Sequence, residues 1–134
     1  MRVLIADDDT GFRTFMRRTL KNEADLTVVG EAMDGEEAVR KAKELKPSLV
    51  LMDIDLPRTD GLEATRQIKG SLPETVVIMF SPLDGMEYRD AAARSGANGF
   101  LVKATAISQI LSTIRRSLPG ESTGNKPLVK EQLQ

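Results

Sequence analysis

The sequence predicts an α/β protein: a five-stranded parallel sheet, doubly wound, with helices on both faces. Three observations predict it. First, four short apolar runs, at residues 3–6, 49–52, 76–80 and 100–102, are continuous rather than alternating, as in strands covered on both faces. Second, segments of helical periodicity separate these runs, so strand and helix alternate five times. Third, Gly11, Gly35, Gly61, Gly70, Gly96 and Gly99 all fall between elements or at their ends.

The elements follow in order. Residues 3–6 form the first strand. Phe12, Phe15, Met16 and Leu20 then recur at helical spacing, with Asp9 or Thr10 as a candidate N-cap. Residues 26–32 are of mixed polarity and suit an edge strand. Ala38, Val39, Ala42 and Leu45 form a stripe that ends before Pro47. The strand at 49–52 precedes a weaker stripe of Leu62, Thr65, Ile68 and Lys69. After the strand at 76–80, a helix within 84–95 carries few large apolar residues. The strand at 100–102 leads to the clearest stripe: Ile107, Ile110, Leu111, Ile114 and Leu118. From Pro119 the texture becomes linker-like, giving one domain over 1–118 and a linker or disordered tail over 119–134.

Composition removes whole classes of function. The 134 residues carry 19 Lys plus Arg and 20 Asp plus Glu, a net charge of −1, and no basic run exceeds a pair. This balance argues against direct nucleic-acid binding by this chain. No apolar stretch approaches the roughly 18 residues needed to cross a bilayer, and acids arrive too early for a secretory signal, so a cytoplasmic protein is expected. Histidine and cysteine are absent. That excludes Ser-His-Asp and Cys-His nucleophiles, Cys/His zinc sites, disulfides and thiol chemistry. The remaining groups suit phosphate and hard-metal chemistry.

Those groups gather directly after strands. Asp7, Asp8 and Asp9 follow the first strand, Asp53 and Asp55 the third, Ser81 the fourth and Lys103 the fifth. Open α/β sheets bind ligands beyond the carboxyl ends of their strands, where the strand order reverses. In the order 2-1-3-4-5, Asp7, Asp8 and Asp53 converge in one crevice. Like charges so placed raise each other's pKa unless a cation intervenes, and Mg²⁺ suits a site of one or two carboxylates that keeps room for phosphate oxygens. Ser81 offers a hydroxyl and Lys103 a mobile charge for a phosphoryl oxygen.

These residues resemble the receiver domain of two-component response regulators over about residues 2–118. The first strand and acidic pair, residues 3–8, look like the family's. Residues 52–61, Met-Asp-Ile-Asp-Leu-Pro-Arg-Thr-Asp-Gly, resemble its phospho-acceptor strand and following loop. Ser81 matches its Ser/Thr switch position, and residues 99–103, Gly-Phe-Leu-Val-Lys, resemble its aromatic-plus-lysine strand. The resemblance implies a flavodoxin-like (βα)5 fold of order 2-1-3-4-5. It implies Asp53 as the nucleophile toward a phosphoryl group from a histidine kinase, a phosphotransfer protein or a small phosphodonor. It implies Mg²⁺ held by Asp8, Asp53 and the Asp55 carbonyl, with Asp7 acting through water. Ser81 and Lys103 would bind phosphoryl oxygens, and Ser81 and Phe100 would switch together. Such a domain catalyses its own phosphorylation and dephosphorylation and controls an output domain or partner protein. It also allows a phosphorylation-dependent homodimer. The stretch 99–103 is similar to receivers joined to helix-turn-helix transcription factors.

Other readings compete. Asp53-Ile54-Asp55 also resembles the Asp-x-Asp of haloacid-dehalogenase-type phosphotransferases, but it follows the third strand, and no acidic pair to hold a metal follows Lys103. A flavin- or nucleotide-binding module would need a phosphate loop or stacking aromatics; the chain has no glycine-rich phosphate motif, no Trp and one Tyr. A receiver that no longer takes phosphate is opposed by the complete acidic set. Two departures from the family pattern stand out. Pro82 replaces a small residue whose N–H helps hold the phosphoryl group. Ala104 replaces the proline that many receivers place after the lysine, so a trans Lys103–Ala104 bond is expected.

Overall fold

The computed structural model describes residues 1–105 and 107–118; the linker expected over 119–134 lies outside the described residues. The strands are β1 (Arg2–Ala6), β2 (Thr27–Ala32), β3 (Leu49–Asp53), β4 (Val76–Ser81) and β5 (Gly99–Val102). The helices are α1 (Thr10–Lys21), α2 (Gly35–Leu45), α3 (Gly61–Ser71), α4 (Met86–Ser95) and α5 (Ile107–Ser117). All pairings are parallel, and the sheet order is β2-β1-β3-β4-β5, as expected, with β2 at one edge.

Successive strand residues point to opposite faces, so continuous apolar strands feed two cores. Leu4, Val50, Met52, Val77 and Met79 pack beneath Ala38, Ala42, Ala64, Ile68 and Ala92 of α2, α3 and α4. Val3, Ile5, Leu51, Ile78 and Phe80 pack beneath Met16, Leu20, Ile110 and Ile114 of α1 and α5. The alanines explain why α4 carries so weak an apolar signal.

Two expected stripe residues face outward. Phe15 is 38% and Ile107 47% exposed. Helices α1 and α5 lie on the same face of the sheet, and each buries a narrow stripe, leaving Phe15 and Ile107 on the shoulders of the groove between them. Lys69 lies in the α3 stripe for a polar reason: its ammonium donates to the carbonyls of Pro73 and Thr75 and to Asn98 Oδ1. It thereby closes the α3–β4 loop.

Three helices start on aspartate caps. Asp9, Asp34 and Asp60 accept hydrogen bonds from the first-turn amides of α1, α2 and α3 respectively. The β3–α3 loop is pinned between close contacts. A Cβ on Gly35 would lie 1.6 Å from the Thr59 carbonyl oxygen, and one on Gly61 would lie 2.0 Å from the Asp53 carbonyl oxygen. Arg58, in the left-handed region, adds ion pairs to Asp34 and Glu36. The Lys103–Ala104 peptide is trans, as expected.

Backbone cannot yield as a flexible side chain does, so Gly61→Ala is expected to destabilise the protein by about 1–3 kcal/mol. Urea unfolding of the variant beside the parent measures this. A loss below about 0.5 kcal/mol would show that the loop absorbs the methyl group.

Candidate functional site

Sheet register assembles the site. Ala6 pairs with Met52, so the residues that follow, Asp7 and Asp53, leave adjacent strands side by side. Asp53 pairs with Phe80, and Ser81 with Val102, which places Ser81 and Lys103 at the next two strand ends. Of the residues predicted from sequence, Asp7, Asp8, Asp53, Asp55, Ser81 and Lys103 therefore share the carboxyl edge of the sheet, whereas Phe100 lies within β5 opposite Met79.

Carboxylate oxygens of Asp7, Asp8 and Asp53 all lie within 4.8 Å of one another. Asp7 and Asp53 are buried, whereas Asp8 is exposed. Both buried acids are fixed by the amide two residues ahead: Asp9 N–H donates to Asp7 Oδ1 at 2.8 Å and Asp55 N–H to Asp53 Oδ1 at 3.1 Å. The other oxygens face the Lys103 ammonium, 2.7 Å from Asp7 Oδ2 and 3.4 Å from Asp53 Oδ2. The Asp55 side chain is exposed and stands outside the carboxylate group, so any contribution of this residue falls to its backbone.

Burial is the main force on Asp53. It pushes the carboxyl above its ordinary value of 3.8; the Asp55 amide opposes this, Asp7 adds to it, and Lys103 opposes it. Burial also works against the Lys103 ammonium, but Asp7 and Asp53 outweigh it and hold that group above its ordinary value. One lysine facing three carboxylates leaves an excess of negative charge and of oxygen donors. That donor set fits a hard divalent cation such as Mg²⁺.

The Ser81 hydroxyl is turned toward its own loop. It donates to the Leu83 carbonyl at 2.6 Å and accepts from the Leu83 N–H at 3.1 Å. Pro82 has no N–H, and the next amide is thus already engaged. Phe100 is buried on β5 with the Arg89 guanidinium 5.2 Å over its ring, and Arg89 is itself paired with Asp84.

Two contributors escaped the sequence reading. Arg13, buried on α1, donates to the Asp7 carbonyl at 2.7 Å and pairs with Glu31 of β2 at 3.0 Å, bracing the acidic turn. The one available signal was a basic residue among the apolar positions of α1. Phe12 lies with its ring 4.6 Å from the Lys103 ammonium and packs edge-on against Phe80.

A parallel sheet of this order with an acid–lysine cluster at its switch point has the arrangement of a receiver domain. Residues 3–115 match the model of the response regulator receiver domain, and the chain belongs to that family. It is 37% identical over 122 residues to the transcriptional regulatory protein YxjL of Bacillus subtilis, covering 91% of this chain and 56% of the relative. It is 39% identical over 124 residues to the response regulator protein VraR of Staphylococcus epidermidis, covering 91% and 58%. The chain thus spans a little over half the length of these curated relatives. The solved signal receiver domain of NarL from Mycobacterium tuberculosis superposes with a TM-score of 0.84 at 30% identity, covering 90% of this chain and 97% of that one. Among the described residues, no helix is long and apolar enough to cross a membrane.

The raised pKa of Asp53 has a definite sign. The native state binds this proton more tightly than the unfolded chain, so ionisation costs stability. The cost is absent below about pH 3.8 and complete above the raised native value. Asp53→Asn is therefore expected to melt higher than the parent in chelator at neutral pH. Mg²⁺, binding the native cluster alone, should raise the parent's melting temperature and raise that of Asp53→Asn less. Scanning calorimetry with chelator and with Mg²⁺ checks both; a lower-melting variant in chelator would refute the electrostatic account.

Proposed function

We propose that this receiver takes a phosphoryl group on Asp53 in a Mg²⁺-dependent reaction and changes conformation to control an output domain or partner. The observation that carries the proposal is the buried Asp53 carboxylate, at a strand end, sharing one ammonium with Asp7 and lying among acid oxygens suited to a cation. An Asp53 oxygen attacks phosphorus, the donor's P–N bond breaks, and the imidazole of the donor histidine leaves with the electron pair. Asp8 and Asp53, with the Asp55 carbonyl, would hold Mg²⁺, and Asp7 would act through water. When bound, the ion would supply charge neutralisation for the incoming phosphate. Lys103, already against Asp53, neutralises a phosphoryl oxygen. Ser81 leaves Leu83 to donate to the phosphoryl group, and Phe100 follows the space it vacates. The donor is a histidine kinase or phosphotransfer protein. The lengths and names of the curated relatives support an output in transcription, carried by a further domain, and a cytoplasmic setting. Phosphorylation-dependent pairing of two copies belongs to the same reading.

Intact-mass measurement after incubation with Mg²⁺ and acetyl phosphate should show one added phosphate, labile to base, and Asp53→Asn should show none. A base-stable adduct, or one that survives in Asp53→Asn, would defeat the reading. Pro82 sharpens it. A hydrogen bond to a charged group is worth roughly 1.5–3 kcal/mol, so restoring an N–H with Pro82→Ala should tighten beryllofluoride binding by a factor on the order of ten. Calorimetric titration of both proteins in Mg²⁺ tests this; equal affinity would show that the missing donor is immaterial.

A further inference from the structure

The Lys103 ammonium has three N–H directions, and three groups of the described residues lie against it. Two are the carboxylates of Asp7 and Asp53, at 2.7 and 3.4 Å. The third is the face of Phe12, whose centroid lies 4.6 Å from Nζ. An ammonium within about 6 Å of a ring centroid is attracted by the negative face of the π system, and more strongly where water is partly excluded. The Lys103 side chain is only 22% exposed.

The ring is itself held. Phe12 packs edge-on against Phe80, with centroids 5.4 Å apart and planes at 66°. Phe80 is buried on β4 in register with Asp53. Phe12 begins the second half of the first turn of α1, where its own N–H also reaches the Asp9 cap. A line of contacts therefore runs from the strand beside the acceptor, through two rings, to the ammonium. A lysine has a long, flexible stem and a large rotamer entropy. Without a wall on its third side, its ammonium would be free to turn toward solvent.

We infer that Phe12 is a positioning residue for Lys103: its ring face holds the ammonium where a phosphoryl oxygen on Asp53 is received. This rests on the reading of Asp53 as the phosphoryl acceptor. The ring does not touch the phosphoryl group. It acts by keeping the lysine in place before that group arrives, so that less freedom is lost on binding.

The test varies the ring's electrostatics at nearly constant shape. Phe12 is replaced by ring-difluorinated and ring-trifluorinated phenylalanine, and beryllofluoride is titrated calorimetrically in Mg²⁺. Affinity should fall stepwise with fluorination, by about two- to fivefold for the trifluorinated ring. Phe12→Tyr should stay within about twofold of the parent, and Phe12→Leu should lose at least as much as the trifluorinated ring. In the unsubstituted protein, the Lys103 ε-methylene protons should show an upfield ring-current shift by NMR, a signature that needs no variant. Normal beryllofluoride binding that ignores fluorination, or an unshifted Lys103 ε-methylene, would overturn the role of Phe12 alone. Failure of the unsubstituted protein to bind beryllofluoride would instead overturn the reading of Asp53, and this inference with it.

Discussion

Two buried carboxylates at the ends of neighbouring strands govern this molecule. Parallel pairing of β1 with β3 puts Asp7 beside Asp53, and neither can retreat to water. The chain answers their repulsion with several partial remedies. Each acid accepts the amide two residues ahead, and Lys103 lies between their free oxygens. Arg13 anchors the Asp7 carbonyl from behind. None of these removes the excess negative charge. Burial first, and Asp7 after it, keep the Asp53 carboxyl above its ordinary pKa.

The acids of the β–α loops divide between two tasks. Asp9, Asp34 and Asp60 spend their oxygens on the first turns of α1, α2 and α3. Asp7, Asp8 and Asp53 do not cap, and they form the cluster. The division is enforced by geometry. A residue still on or just after a strand points across the sheet edge, whereas one directly before a helix meets that helix's first-turn amides. Gly35 and Gly61 let the β3–α3 loop press against both, which holds the Asp53 backbone in place.

Much of this was legible in the chain. Strands covered on both faces must be continuously apolar, so they announced themselves, and acids that end such runs have no solvation reason to be there. Register then turned strand ends into a site. Other features depended on relations between distant segments. Phe15 and Ile107 fit a helical stripe, yet the neighbouring helix decides how wide the buried stripe is. Phe12 read as plain core, because nothing local says that the ammonium of a residue some ninety positions later will rest on its face. The Ser81 hydroxyl position is a rotamer choice made by its loop, and residue identity carries no record of it.

That choice has a consequence for signal fidelity. On the proposed reading, Ser81 must abandon two hydrogen bonds to Leu83 before it can serve a phosphate. Each neutral hydrogen bond contributes roughly 0.5–1.5 kcal/mol net, so the pair biases the unphosphorylated ensemble against the phosphate-facing rotamer by about five- to 150-fold. A two-state switch leaks in proportion to the minor population present without its trigger. On that reading the turn around Pro82 sets the noise floor of the device, because it fixes how rarely the phosphate-facing rotamer is visited without a phosphate.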